Sequence, residues 1–211
     1  MARTLVFDLG GVVLRWQPAE LLHRQLPHRA PDLTAGAELA SRFFESFRPG
    51  SDWAEFDRGV LPLEHVAPRI ASRLQLGVDE VLRVMHAVPA HLQLLEDTAS
   101  LLRELQQNAH RLVFLSNMPP AYVDHVKQQL DGLGVFETGL YSSRIGMIKP
   151  QMPIFEHAER HFGVAGCDCI FFDDSLANVR AALDRGWTAR QFSNAAGARK
   201  DLLALGVLTK L

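Results

Sequence analysis

The feature that most constrains the fold is a series of short apolar runs separated by segments with helical character. The runs predicted as buried strands are residues 4–7, 111–115, 169–172 and 188–191, with a weaker strand at 139–142. The helices predicted around them are residues 98–108, 120–130, 150–162 and 175–185. Strands that alternate with helices indicate βαβ units and a parallel sheet. Fully apolar strands fit this arrangement because such a sheet is covered on both faces.

Residues 15–91 interrupt this alternation. The segments predicted there are all helical: residues 18–26, 37–47, 52–58, 63–74 and 78–87. Glycine and proline residues separate several of them, and no strand is predicted between them. A helical block that follows the first strand of a parallel sheet indicates a separate cap. The predicted fold class is α/β, a Rossmann-like parallel-sheet core of residues 1–14 and 92–211 with an inserted helical cap of residues 15–91.

The composition is that of an ordinary globular protein of 211 residues, with 47 % hydrophobic and 22 % charged residues. The net charge of −2 and the lack of a long basic stretch argue against a nucleic-acid partner. No apolar stretch approaches the length of a membrane span, and Asp8 interrupts the apolar run that a signal peptide would need. Cys167 and Cys169 are too close for an easy disulfide. We therefore expect a cytoplasmic protein without a membrane partner, as a monomer or small homo-oligomer.

Three of the predicted strands are followed directly by polar residues, and the first of these is followed by a glycine-containing loop. In an open α/β sheet the ligand binds beyond the carboxyl ends of the strands, so these residues are expected at one edge. Together with a lysine that precedes a predicted helix, the candidate site consists of Asp8, Gly10, Ser116, Asn117, Lys149, Asp173 and Asp174. Taken singly, each also has an ordinary explanation as a turn residue, a helix cap or a surface lysine.

This set of side chains suits phosphoryl transfer. That reaction needs a nucleophile, a cation that neutralises phosphate oxygens, and fixed donors for the remaining charge. Three neighbouring carboxylates cannot all remain ionised and unpaired. A hard divalent ion is the simplest solution, and Mg²⁺ binds a few protein oxygens together with water and phosphate. The sequence therefore predicts Mg²⁺ as the cofactor.

Four motifs carry a more specific resemblance. They are FDLGGVV at 7–13, LSN at 115–117, IKP at 148–150 and FFDDS at 171–175. In this order they resemble the four motifs of the haloacid dehalogenase superfamily of hydrolases, and residues 15–91 match the position of its type-1 cap. FDRG at 56–59 and GMIKP at 146–150 further resemble a bacterial branch that contains α-D-glucose-1-phosphate phosphatases.

The resemblance implies a phosphatase that hydrolyses a small phosphate ester. Asp8 would attack phosphorus and carry an aspartyl-phosphate, and Lys149 would offset the charge of the nucleophile and the phosphoryl group. Ser116 and Asn117 would bind phosphate. The implied Mg²⁺ ligands are Asp8, Asp174, the backbone carbonyl of Gly10, and Asp173 either directly or through water.

Position 10 departs from the superfamily pattern. Most of its phosphatases carry a second aspartate two residues after the nucleophile, which protonates the leaving group and then activates water. Gly10 occupies that position here, and acid–base help of this kind is worth roughly 10²–10⁴-fold in rate. An anomeric oxygen leaves more readily than a simple alkoxide, and the related branch also has glycine there. A sugar phosphate, such as a sugar 1-phosphate, is therefore the expected substrate.

Two other functions remain open. A 2-haloacid dehalogenase also uses an aspartate nucleophile and needs no leaving-group acid, so Gly10 does not exclude it. The adjacent Asp173 and Asp174 argue against it, because uncompensated carboxylates beside the nucleophile would repel an anionic substrate. The other alternative is a catalytically degenerate binding or regulatory relative.

The predicted cap also contains weaker candidates for contact with the substrate. They are Trp16, Arg48 and Trp53.

Overall fold

The computed structural model describes residues 3–209 as an α/β fold built on a five-stranded parallel sheet. The strands are β1 (Thr4–Phe7), β2 (Arg111–Ser116), β3 (Thr138–Tyr141), β4 (Cys169–Asp173) and β5 (Thr188–Gln191). Their order is β3-β2-β1-β4-β5, and every neighbouring pair is parallel. The central strand β1 is buried along its whole length, because helices cover both faces of the sheet. The predicted fold class is confirmed.

The helices fall into two groups along the chain. Those within residues 15–91, here called the insert, are α1 (Pro18–Gln25), α2 (Leu33–Phe43), α3 (Asp52–Asp57), α4 (Leu63–Leu74) and α5 (Val78–His91). Those that follow are α6 (Glu96–Gln107), α7 (Pro120–Leu133), α8 (Ser142–Ile145), α9 (Met152–Phe162), α10 (Leu176–Asp184) and α11 (Ala195–Ala204). Across residues 3–209, none of the helices has the length and apolar character needed to cross a membrane.

The predicted strands are all present, with small differences at their ends. β2 and β4 each run one residue further than predicted, to Ser116 and Asp173, so these two site residues belong to the strands themselves. The helix predicted from residue 150 begins only at Met152. The residues before it form a turn in which the Gln151 N–H donates to the Ile148 carbonyl oxygen at 3.0 Å. This turn holds the Lys149 segment at the edge of the sheet.

The largest difference within the insert concerns the helix predicted at 37–47. α2 starts earlier, at Leu33, because the Asp32 side chain accepts a hydrogen bond from the Ala35 N–H at 2.8 Å and caps the helix. The following residues, Glu45–Phe47, form a separate 3₁₀ turn in which φ is positive at all three positions, between 49° and 55°.

The last helix, α11, was not predicted. It buries only Ala198 and Leu202, which are too few apolar positions for a clear periodic signal.

An aromatic cluster forms the centre of the insert. The rings of Phe44 and Trp53 meet edge to face with centroids 4.5 Å apart, and Trp53 meets Phe56 at 5.4 Å. Phe56 in turn contacts Tyr122 of α7 at 5.7 Å. Edge-to-face contacts of this kind add to the burial of large apolar rings. The apolar interior of the insert is therefore continuous with that of the sheet region.

Candidate active site

The carboxyl ends of β1, β2 and β4 bring three predicted site residues together. Because β1 lies between the other two strands, Asp8 emerges between Ser116 and Asp173. The Asp8 N–H donates to the Phe172 carbonyl oxygen at 2.9 Å, which continues the hydrogen bonding of the sheet by one residue. The backbone of Asp8 is thus held by the sheet while its side chain projects beyond the sheet edge.

Lys149 connects the two buried carboxylates. Its Nζ lies 2.8 Å from Asp8 Oδ1 and 2.7 Å from Asp173 Oδ2, and it donates to the Leu115 carbonyl oxygen at 2.8 Å. These acceptors take all three hydrogens of the ammonium group. Lys149 is only 2 % exposed. A buried ammonium needs such compensation, so its position is strongly determined by the carboxylates.

Asn117 fixes the backbone of the lysine. Its Nδ2 donates to the Lys149 carbonyl oxygen at 3.0 Å, and its Oδ1 accepts from the Lys149 N–H at 2.9 Å. These two contacts give Asn117 a positioning task in addition to any contact with substrate. The hydroxyl of Ser116 is buried and lies 3.4 Å from the Asn117 carbonyl oxygen. Phosphate binding by both residues stays a prediction.

Asp173 is fully buried and both its oxygens are already in use. Oδ1 accepts from the Ser175 N–H at 2.8 Å and from Asn178 Nδ2 at 3.0 Å, while Oδ2 accepts from Lys149. Asn178, which was not predicted as a site residue, follows on α10 and contacts both oxygens of the carboxylate. Asp173 is therefore placed to orient the lysine, and it offers a metal ion less than its neighbour Asp174 does.

Asp174 and the glycine loop after β1 approach each other closely. A Cβ atom on Gly11 would overlap the Asp174 carboxylate, and Gly11 has a φ of 76°, so only glycine fits there. Gly10 differs, because its nearest side-chain neighbour, Trp16, would be 3.8 Å from an added Cβ and its φ is outside the left-handed region. One ligand oxygen from each of Asp8, Asp173 and Asp174 lies within 4.8 Å of the others.

The electrostatics of the site show an excess of negative charge. Burial raises the pKa of Asp8 to about 7, with Lys149 opposing the shift and Asp173 and Asp174 adding to it. Desolvation, followed by the charge of Asp173, raises the pKa of Asp174 to about 6. Burial disfavours the charged form of Lys149, but Asp173 and Asp8 outweigh it and raise the lysine pKa. Three carboxylates thus share one ammonium group, which favours the addition of a cation.

A cavity of about 350 Å³ lies over Asp8. Its polar wall includes Lys149, Asp174 and Asn178. Its apolar wall includes Trp16, Phe47, Pro49, Trp53, Val88, Leu92, Met118, Pro119 and Tyr122. All three weaker substrate candidates line this cavity. Arg48 is exposed at the loop between α2 and α3, whereas Trp53 is only 3 % exposed and belongs mainly to the aromatic cluster.

The insert also contributes Asp57 to the cavity, a residue that we did not predict. Asp57 is the last residue of α3 and is only 6 % exposed. Its sequence signal was the FDRG motif, which indicated a relationship and no chemical role. Sequence spacing does not show that α3 turns this carboxyl group towards Asp8, some fifty positions away in the chain.

The family comparison agrees with this geometry. The family of haloacid dehalogenase-like hydrolases matches residues 2–186. The chain belongs to this family of hydrolases.

Among characterised proteins, the chain is 23 % identical over 181 residues to a sesquiterpene phosphatase of Aspergillus oryzae, covering 85 % of this chain and 84 % of that protein. It is 26 % identical over 156 residues to a chloroplast flavin mononucleotide hydrolase of Arabidopsis thaliana, covering 74 % of this chain and 62 % of that protein. It is 24 % identical to a drimenol cyclase of Aspergillus calidoustus, but the match covers only 33 % of the cyclase.

Solved structures share the fold. A HAD-like family hydrolase from Porphyromonas gingivalis aligns with a TM-score of 0.70 at 22 % identity, over 99 % of this chain and 100 % of the other. A HAD family enzyme from Bacteroides thetaiotaomicron, in complex with magnesium and inorganic phosphate, aligns at 0.65 and 19 % identity over 90 % and 94 %. L-2-haloacid dehalogenase from Xanthobacter autotrophicus aligns at 0.67 and 18 % identity over 90 % and 77 %.

Proposed function

We propose that this protein is a Mg²⁺-dependent phosphatase that hydrolyses a small phosphate ester through an aspartyl-phosphate on Asp8. One observation carries the proposal: Lys149 Nζ bridges Asp8 and Asp173 at 2.8 and 2.7 Å beneath a cavity that Asp174 also lines. Phosphoryl transfer requires a nucleophile, a fixed positive charge and a ligand for a metal ion. Asp8, Lys149 and Asp174 are placed to fill these three roles.

The site residues have separate roles in the proposed reaction. The Asp8 side chain attacks phosphorus, while Lys149 compensates the charge that nucleophile and phosphate bring together. Asp173 accepts a hydrogen bond from the ammonium group of Lys149, and Asn117 donates one to its backbone carbonyl oxygen. This division assigns Asp173 to positioning, because both its oxygens already accept hydrogen bonds.

The donor set fits Mg²⁺. The residues that would hold the ion are Asp8, Asp174 and the backbone carbonyl of Gly10, all of which line the cavity. Oxygen ligands of this type suit a hard divalent cation. Burial, and then the charge of neighbouring carboxylates, raise the pKa values of Asp8 and Asp174, and a bound cation would favour their ionised forms. The bound ion supplies charge neutralisation at the phosphate. The HAD family enzyme from B. thetaiotaomicron was crystallised with magnesium and phosphate, which supports this choice.

Two substrate classes follow from different observations. The resemblance to the α-D-glucose-1-phosphate phosphatase branch, together with Gly10, supports a sugar 1-phosphate. The predominantly apolar wall of the cavity favours a second candidate, the phosphate ester of an extended apolar alcohol. The sesquiterpene phosphatase of A. oryzae is one of the relatives. Phosphate release from glucose 1-phosphate, geranyl phosphate and p-nitrophenyl phosphate in Mg²⁺ tests the function and separates the classes. A folded protein that hydrolyses none of these esters would contradict the proposal.

The proposed metal site predicts a sharp effect of Asp174→Asn. We expect apparent Mg²⁺ affinity to fall by at least about 10–100-fold, the scale found for residues that only support a metal ligand. EDTA should stop turnover of the wild type, and Ca²⁺ should not restore it because its larger, looser shell favours chelation of Asp8 over attack. Titration of activity with Mg²⁺ measures the effect. Asp184→Asn, a change at the exposed end of α10, is the matched control.

The same experiment separates the alternative functions. Full activity of the wild type in EDTA would contradict the metal site. Release of halide from a 2-haloacid in EDTA would instead favour the dehalogenase alternative. Binding of phosphate esters without turnover would favour a catalytically degenerate relative.

We further propose that residues 15–91 form a type-1 cap over a catalytic core of residues 1–14 and 92–211. The contribution of insert residues to the cavity wall supports this division. Cap and core would then have separate tasks, because specificity and chemistry lie on different segments.

This division predicts selective effects of Phe47→Ala and Arg48→Ala. Both residues lie on the exposed loop that borders the cavity. We expect kcat/KM to change by about 10-fold or more for the preferred substrate, since one lost contact in a pocket is worth about 1–3 kcal/mol. For p-nitrophenyl phosphate we expect a change below about threefold. Val60→Ala, at an insert position that is 65 % exposed, is the control. Equal effects on all substrates would rule out the separation of tasks.

A further inference from the structure

We infer that Asp57 of the insert is the general acid of the reaction and replaces the carboxyl group that position 10 lacks. This inference rests on the proposed phosphatase function. Gly10 has no side chain to protonate a leaving group, and the cavity over Asp8 has one further carboxyl group outside the cluster of Asp8, Asp173 and Asp174. That group is Asp57, at the end of α3.

The Asp57 residue is largely buried, but its carboxyl oxygens remain accessible from the cavity. The residue is 6 % exposed, and within residues 3–209 its carboxyl oxygens take part in no hydrogen bond or ion pair. A largely buried carboxyl group with no protein partner calls for an explanation, and one that reaches a cavity can meet a ligand there. Because Asp57 lines the cavity together with Asp8, a ligand bound in the cavity is the partner that its carboxyl group would contact.

The backbone around Asp57 is fixed to the sheet region. Ser142 Oγ donates to the Asp57 carbonyl oxygen at 2.5 Å and accepts from the Met118 N–H at 2.8 Å. A Cβ atom on Gly59 would lie 2.9 Å from the Ser143 carbonyl oxygen, so the two segments touch through their backbones. These contacts place the carboxyl group of the insert at a set position relative to β1. A general acid needs such fixed placement beside the reacting atoms.

The surroundings also suit a neutral acid. Burial, and then the negative charge of Asp8, raise the pKa of Asp57 well above its usual range, with Lys149 opposing the shift. Tyr122 of α7 also lines the cavity, and burial raises the pKa of its phenol. A carboxyl group that stays protonated near neutral pH can donate a proton to a leaving group.

The proton balance of the two half-reactions is complete with this group. In the first, Asp8 forms a bond to phosphorus, the bond between phosphorus and the ester oxygen breaks, and that oxygen takes the proton of Asp57. In the second, the Asp57 carboxylate takes a proton from the water that attacks phosphorus. The bond from phosphorus to Asp8 then breaks, which releases phosphate and restores both carboxyl groups to their starting states.

The test is Asp57→Asn in the Mg²⁺-loaded enzyme, assayed with a series of esters from p-nitrophenyl phosphate to simple alkyl phosphates. Nitrophenolate leaves without protonation, so we expect its kcat/KM to change by less than about threefold. For alkyl phosphates we expect kcat/KM to fall by about 10²–10⁴-fold. With p-nitrophenyl phosphate, slow hydrolysis of the phosphorylated enzyme should produce a burst of nitrophenol equal to the enzyme concentration. Asp79→Asn, an exposed position on α5, is the matched control.

The other outcomes would overturn the inference. An equal loss for every ester without a burst would assign Asp57 a structural role. A rise in KM limited to hydroxylated substrates, with alkyl phosphates unaffected, would assign it to substrate binding. Asp57→Ser, checked by thermal denaturation, repeats the series in case the amide disturbs packing. Loss of p-nitrophenyl phosphate hydrolysis by the wild type in EDTA tests the phosphatase function separately.

A double-mutant cycle with Gly10→Asp gives an independent measurement. A Cβ atom added at Gly10 meets only Trp16, at an ordinary contact distance of 3.8 Å, so the backbone position accepts a side chain. If Asp57 already supplies the acid, Gly10→Asp should raise alkyl phosphate turnover much more in the Asp57→Asn background than in the wild type. The same effect in both backgrounds, whether a gain or none, would show that the two positions do not share a task and would contradict the inference.

Discussion

Asp8→Asn is expected to lower kcat for every phosphate ester by a factor on the order of 10⁴ or more, as found when a covalent nucleophile is removed. The amide is nearly isosteric with the carboxylate but is a poor nucleophile. The fold should remain intact, because the backbone of Asp8 is held by the hydrogen bond of its N–H to the Phe172 carbonyl oxygen. The measurement is steady-state phosphate release in Mg²⁺.

Two controls make this result interpretable. Mass spectrometry must show that the new amide has not hydrolysed back to aspartate, and Asp184→Asn must keep wild-type activity. A folded Asp8→Asn protein with near wild-type turnover would exclude Asp8 as the nucleophile.

Burial raises the pKa of Asp8 to about 7, so the ionised side chain destabilises the metal-free fold at higher pH. We therefore also expect metal-free Asp8→Asn to be at least as heat-stable as the wild type at about pH 8.

Lys149→Met is expected to damage both turnover and stability. Removing the ammonium group leaves the carboxylates of Asp8 and Asp173 buried without compensation, a change that typically costs about 3–5 kcal/mol. Turnover should fall because no other fixed cation lies against the nucleophile among the residues that the structure describes. The free energy of unfolding in EDTA and kcat in Mg²⁺ are the two measurements. Lys200→Met, an exposed change on α11, is the matched control.

The stability loss of Lys149→Met should depend on pH in a defined direction. Lys149 lowers the pKa of Asp8, so without it the folded-state pKa of Asp8 rises further above its unfolded value. A carboxyl group of this kind is tolerated in its protonated form, and its stabilising contribution disappears as the pH rises through the folded-state pKa. The gap between wild type and variant should therefore widen between about pH 6 and about pH 8, where Asp8 ionises in the folded wild type but stays protonated in the folded variant. A gap that is constant over this range would contradict the assigned role of the lysine.

The sheet and the placement of the main candidate residues could be predicted because their signals are local. Each strand is a short apolar run, and the residue that follows its carboxyl end must lie at the ligand-binding edge. Asp8, Asp173 and Asp174 follow from this rule, and their oxygens indeed lie within 4.8 Å of one another. Lys149 was identifiable from its motif and from its place before a predicted helix, but its contact with two carboxylates depends on a turn whose last residues the sequence pattern assigned to that helix.

The remaining residues depend on contacts between distant segments. Asn178 contacts Asp173 because α10 begins with its first turn against β4, and periodicity alone does not distinguish such an asparagine from a surface residue. Asp57 reaches the cavity because Ser142 and Gly59 dock the insert against the sheet region. Packing of this kind between segments far apart in the chain leaves no regular spacing in the sequence.

The most direct test of the account is to trap the phosphoryl group on the enzyme. Acid quenching during turnover in Mg²⁺, followed by borohydride reduction, converts an aspartyl-phosphate to homoserine, which peptide mass spectrometry can locate. We predict homoserine at position 8 when both substrate and Mg²⁺ are present, a larger yield in Asp57→Asn, and none in Asp8→Asn. Steady turnover with position 8 unmodified in both the wild type and Asp57→Asn, or with the modification at another carboxylate, would contradict covalent catalysis by Asp8.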